Sequence, residues 1–288
     1  MVSYQPKEPN VNMKKLSPKT KKILYWCTVA VLAIVIVVCA VMIGHKLITD
    51  AQDKKEYENL QNIKSSLGAD VTRPTPPAEP EEPTTSEPTE SQPATEPEIM
   101  EHLQPLYDMN QDMVGWIEIP GTRIDYPVVQ SKYEANYYLR RNFYKEYAVC
   151  GTIYAREACD VFEPSDNITL YGHAMANQTM FGDLHYFKDK DYWEEHKLIY
   201  FDTLYEYHTY EIFAVFNTLA DPGKGFSYHL FDTAADQESF DEFVGQCKDL
   251  SFYDTGITPE YGDKLITLST CDRSIGNGRL VVVARRIM

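Results

Sequence analysis

Nucleophilic chemistry in this chain could rest on Cys271. It follows the apolar run Leu265–Thr270 and precedes a polar stretch, Asp272–Gly278, that carries Gly276 and Gly278. A second apolar run, Arg279–Ile287, comes next. Two such runs around a short glycine-bearing loop predict a hairpin. Cys271 then ends one strand and Arg279 starts its neighbour, so pairing brings thiol and guanidinium together. A guanidinium beside a thiol favours the thiolate. It can also donate hydrogen bonds to the oxyanion of a tetrahedral intermediate. Arg273 lies in the loop itself, and Arg285 and Arg286 lie far along the second strand.

A thiol nucleophile works with a proton-transfer partner. Ile168–Tyr171 is an apolar strand that stops at Gly172, and His173 stands at the junction with a helix expected from Thr179. A rigid strand positions such a residue while the loop exposes it. An imidazole there can act as acid or base toward the thiol and a leaving amine. His45, His102, His185, His196, His208 and His229 have no comparable setting. Residue types alone leave the matter open. A lone cysteine at a strand end is more often a small core residue, and a lone arginine is more often a surface charge. On this basis Cys271 and His173 are one candidate dyad among several.

The elements that must position them lie between residues 99 and 288. Short β-branched and aromatic runs occur at Val114–Ile119, Ile124–Val129, Gly151–Ala155, Ile168–Gly172, Leu198–Asp202, His208–Phe216, Leu265–Thr270 and Arg279–Ile287. Eight runs divided by turn signals predict an antiparallel-rich sheet or closed barrel. Helices are expected over 99–112, 179–187, 189–197 and 236–250. The last places Phe240, Phe243, Val244, Cys247 and Leu250 on one face. The fold class is mainly β, a barrel with peripheral helices.

The first third of the chain reads differently. Residues 1–22 hold six lysines and one acid, Glu8. Ile23–Gly44 then contains no charge and, as a helix of about 33 Å, would cross a bilayer core. Tyr25 and Trp26 suit an interface. Basic flanking residues predict a cytoplasmic N-terminus and an outer location for the chain beyond the apolar run. Residues 45–71 read as a polar helical stalk. Residues 72–98 are dominated by Pro, Glu, Thr and Ser and cannot bury a core, so a disordered spacer is expected. In extended polyproline geometry it would reach roughly 80 Å and hold the domain away from the membrane.

The net charge of −16 over 288 residues argues against sequence-independent nucleic-acid binding, which needs clustered Lys and Arg. Cys27 and Cys39 fall in the apolar run, and Cys150, Cys159, Cys247 and Cys271 in the domain. These do not form a disulfide framework, though a Cys150–Cys159 bridge is conceivable. No zinc-type spacing occurs, so neither metal nor cofactor is expected.

Thr267-Leu268-Ser269-Thr270-Cys271 resembles the signature of the sortases, class B in particular. Tyr171-Gly172-His173 followed by Thr179-Met180-Phe181-Gly182 is similar to the class B histidine segment. Arg279–Ala284 resembles the strand carrying the family arginine. Val114–Ile117, Ile124–Val128, Asn136–Leu139 and Gly151–Tyr154 fit the family as well, so the resemblance covers essentially all of 100–288. It implies an eight-stranded sortase-type barrel with an N-terminal helical extension, behind a membrane anchor and a linker. It implies that Cys271 attacks the Thr carbonyl of a C-terminal sorting motif in an exported protein. A thioester forms, and an amine of a peptidoglycan precursor in a Gram-positive envelope resolves it. His173 would move the protons and Arg279 would stabilise the oxyanion or hold the substrate backbone. Ser269, Thr270, Asn136 and Asp272 would contact substrate, Ser269 on the same strand face as Cys271. A pilin polymerase using a Lys amine, a plain cysteine endopeptidase and a stalked non-catalytic adhesin are the competing readings.

Overall fold

The computed structural model describes residues 17–68 and 97–288 apart from Pro222 and Arg273. The chain forms two compact units, Met1–Gln52 and Asp53–Met288. Helix α1 is Pro18–Gly68. It contains the whole apolar run, and among the described residues it is the one helix long and apolar enough to cross a membrane. Helix is the required state for such a run in lipid, because every backbone N–H and C=O must be satisfied within the segment.

Residues 53–68 of α1 belong to the second unit. Tyr57 and Leu60 are buried in its core, and Ile63 packs against it. The three residues sit three apart, a single narrow stripe on an otherwise polar helix. The expected stalk is therefore helical through Gly68, but its second half is part of the folded domain. The expected spacer lies outside the described residues over 72–96. Both of its flanks belong to the second unit.

After this segment, α2 (Gln104–Met109) is shorter than the helix expected over 99–112. Pro105 has no N–H to donate to residue 101, so a helix can begin at Gln104 but not run through it. Eight strands come next: β1 (Met113–Glu118), β2 (Asp125–Val129), β3 (Ile153–Ala155), β4 (Asn167–Tyr171), β5 (Leu198–Thr203), β6 (Thr209–Leu219), β7 (Leu265–Asp272) and β8 (Gly278–Arg286). They close a barrel in the order β1-β2-β3-β4-β7-β8-β6-β5. β2–β3 and β4–β7 pair in parallel and the other neighbours antiparallel. The region 179–197 forms a 3-10 helix, Gly182–Lys188, and then α3 (Lys190–Glu195), capped by the Asp189 side chain on the Asp191 N–H.

β8 is apolar without alternation because both its faces are covered. Leu280, Val282 and Ala284 face the main core, while Val281 and Val283 join a second cluster under α4 (Gln237–Leu250). Helix α4 contributes Phe240, Phe243, Val244 and Cys247 to that cluster and starts with a capping box between Asp236 and Ser239. Cys150 and Cys159 are both free and buried.

Candidate active site

Three adjacent strands, β4, β7 and β8, carry the candidate residues to one end of the barrel. On the antiparallel side, the β7–β8 register sets Cys271 directly opposite Arg279. On the parallel side, Tyr171 of β4 pairs with Ser269 of β7. The two chains stay side by side past the ladder. The Gly172 N–H donates to the Ser269 carbonyl at 3.2 Å, and the Thr270 hydroxyl donates to the Gly172 carbonyl at 2.7 Å. His173 follows two residues beyond the Tyr171–Ser269 pair, as Cys271 does on β7. All three line one open cavity of about 360 Å³.

Cys271 and Arg279 are half-buried. Cross-strand partners share a face, and in β8 that face carries Val281 and Val283 toward α4. The cavity therefore lies on the α4 side of the barrel, beneath the loop from β6 to α4. That loop supplies Tyr228 and His229. The Arg279 Nη1 donates to the Gly278 carbonyl at 3.1 Å, which braces the guanidinium against its own strand. The His173 Nε2 bonds to the Leu139 carbonyl at 2.8 Å. A carbonyl only accepts, so Nε2 carries a proton there.

Tyrosines form much of the wall. Burial raises the Tyr154, Tyr171 and Tyr228 phenols above their ordinary range, so all three are neutral. The Cys271 thiol adds to this for Tyr154 and Tyr228, and Arg279 opposes it. Burial, then the Arg156 and Arg279 guanidiniums, lower the His229 imidazole, while Asp232 opposes them.

Ser269 lines the cavity, and its hydroxyl lies 2.6 Å from that of Tyr228. Thr270 also lines it, but its hydroxyl is held by Gly172. Asn136 lines it from the entry to the 3-10 helix Tyr137–Arg140, with φ 58°, and accepts from the Tyr154 hydroxyl at 2.8 Å. Asp272 is placed differently. It alternates to the other face of β7, is 3% exposed, and binds Lys188 at 2.5 Å, Asn217 at 2.7 Å and Ser274. It is a locked structural carboxylate outside the cavity lining rather than the expected substrate contact. His229, with no distinguishing setting in the sequence, stands on the cavity wall. Leu139 and Tyr154 reach it from the two segments Asn136–Leu139 and Gly151–Tyr154 that fit the family, and Tyr228 from a segment with no local signal. No cluster of His, Cys, Asp and Glu suited to a metal ion occurs among the described residues.

Residues 117–287 match the Sortase domain family. Sortase B of Listeria monocytogenes is 33% identical over 193 residues, covering 66% of this chain and 76% of that protein. The chain belongs to the sortase family, class B. Solved class B sortases share its barrel. Sortase B from Bacillus anthracis superposes with a TM-score of 0.66 at 30% identity, covering 82% of this chain and 96% of that one. The Staphylococcus aureus sortase B–substrate complex gives 0.67 at 25% identity, covering 83% and 98%. The sortase barrel thus accounts for the strand order that brings β4, β7 and β8 together.

Proposed function

We propose that this sortase is a membrane-anchored cysteine transpeptidase with Cys271 as nucleophile, His173 as proton carrier and Arg279 as oxyanion stabiliser. The observation that carries the reading is the double register on β7. One neighbour strand sets Arg279 opposite Cys271, the other ends two residues before His173, and all three residues line a single open cavity.

In the first half-reaction the Cys271 thiolate attacks the carbonyl carbon of the sorting-motif Thr. The C–S bond forms, the developing oxyanion faces Arg279, and the C–N bond breaks as the leaving amine takes a proton from His173. In the second half an incoming amine loses a proton to His173, attacks the thioester carbon and expels the thiolate. With Nε2 committed to Leu139, proton exchange with the reacting groups falls to Nδ1. The neutral tyrosine wall places no negative charge in the cavity to compete for the guanidinium. Ser269, Asn136 and Thr270 would line the bound motif. A similar class B sortase is known in complex with triglycine, which supports an amine acceptor of the peptidoglycan-precursor type. Ile23–Gly44 would span the cell membrane once, with the basic tail inside and the catalytic unit outside.

The test uses the full chain in detergent with peptides of Leu-Pro-x-Thr-Gly, Asn-Pro-x-Thr-Asn and Ser-Pro-x-Thr-Gly types. Mass spectrometry follows cleavage with and without triglycine. Cleavage after Thr, an amine-trapped product, and its loss in Cys271→Ala, His173→Ala and Arg279→Ala are expected. Cleavage that survives Cys271→Ala overturns the mechanism, and hydrolysis unaffected by amine makes the enzyme an endopeptidase.

A further inference from the structure

The carbonyl that receives the His173 imidazole belongs to a segment with little support of its own. Leu139 sits in a four-residue 3-10 helix entered from Asn136 in the left-handed region. Such a short turn is not self-sustaining. Residues 148–152 run beside it and hold it. The Ala148 N–H donates to the Arg140 carbonyl at 3.1 Å, the Thr152 N–H to the Tyr138 carbonyl at 3.2 Å, and the Thr152 hydroxyl to the Arg141 carbonyl at 2.9 Å. Gly151, at φ 60°, lies so close that a Cβ there would stand 2.7 Å from both the Tyr138 and Leu139 carbonyl oxygens. Any shift of Gly151 is therefore transmitted to the oxygen that seats His173.

Gly151 is in turn held by α1. The Tyr57 hydroxyl donates to the Gly151 carbonyl at 2.7 Å and lies 3.3 Å from the Thr152 hydroxyl. Tyr57 is 4% exposed, and its ring meets Tyr126 edge-on at 5.4 Å. The next residue toward the N-terminus, Glu56, accepts from the Asn142 side chain at 2.9 Å. The helix thus grips the 137–152 segment at two points.

We propose that Tyr57 is a positioning residue for His173. Through Gly151 it fixes the Leu139 carbonyl, and so the orientation of the imidazole, from the helix that also forms the membrane anchor. The proposal rests on the reading of His173 as the proton carrier.

The experiment uses the full chain in detergent with selectively labelled histidine. Tyr57→Phe keeps the ring against Tyr126 and removes only the hydroxyl. The His173 ring signals, assigned by their loss in His173→Ala, are followed by NMR against pH, which needs no substrate. The peptide cleaved fastest by the wild type gives kcat, KM and the pH–rate profile. Tyr57→Phe is expected to shift and broaden the His173 signals, lower kcat about fivefold, and move the pH profile, with KM unchanged. Gly151→Ala, which displaces the same carbonyl with α1 intact, is expected to do the same more strongly. Gln61→Ala is the control. It removes another bond between α1 and the barrel, to the Asp125 carbonyl at 2.7 Å, and should lower the melting temperature without touching the His173 signals or kcat. If Tyr57→Phe behaves like Gln61→Ala, the proposal is overturned. If His173→Ala itself retains wild-type turnover, the functional reading fails instead.

Discussion

At the scale of single residues, the contrast between Cys271 and Asp272 shows how one strand serves two ends. Alternation turns the thiol to the open cavity and the next side chain into the protein. Burial alone would push the Asp272 carboxyl up, but the Lys188 ammonium and the Ser274 hydroxyl and N–H outweigh it. They hold the group well below the usual carboxylate range. A carboxyl depressed by folding stabilises the native state fully above its unfolded pKa near ~3.9, and the contribution drains away as pH falls below that value. Asp272→Asn should therefore cost about 2 kcal/mol at neutral pH. The gap in melting temperature between wild type and variant should close as pH drops from 5 toward 2. Thermal melts across that range check it, and a gap constant with pH would refute the assignment. The sequence exposed the Cys271–Arg279 pair because a hairpin is local. It offered Asp272 as a substrate contact and gave no sign of its buried partners, because Lys188 and Asn217 come from elements 84 and 55 residues away.

Elements differed in how much of themselves they declared. All eight strands were readable from β-branched runs, with ends shifted by one or two residues in most cases. Their pairing was not. Nothing in Ile168–Tyr171 says that it lies parallel to Leu265–Asp272, and that parallel pairing ends beside the cavity that His173 and Cys271 both line. Helix α4 was legible from its apolar face, and its partner was not. Phe231, in the loop that also carries Tyr228, stacks on Phe243 with ring centroids 4.0 Å apart and planes 9° from parallel. Phe243→Ala should cost about 3 kcal/mol in denaturant unfolding. It should also loosen the loop that forms the α4 side of the cavity, raising KM for sorting peptides more than it lowers kcat. A pure kcat loss would show that the loop is held by other contacts.

At the scale of the whole molecule, the deciding feature is where the domain begins. Composition drew the boundary after the Pro- and Glu-rich segment, because that is where polar sequence gives way to alternating apolar runs. The structure draws it at Asp53, because two side chains on a polar helix, Tyr57 and Leu60, are buried with the barrel. The same boundary sets a stability test. Burying a Leu and a Tyr contributes about 4 kcal/mol together. For a domain of this size each kcal/mol moves the melting temperature by about 3 °C. A fragment covering 53–288 should fold, and one covering 99–288 should melt about 10 °C lower and bind more of a hydrophobic dye along the exposed groove. Equal melting temperatures for the two fragments would return residues 53–68 to the role of a stalk.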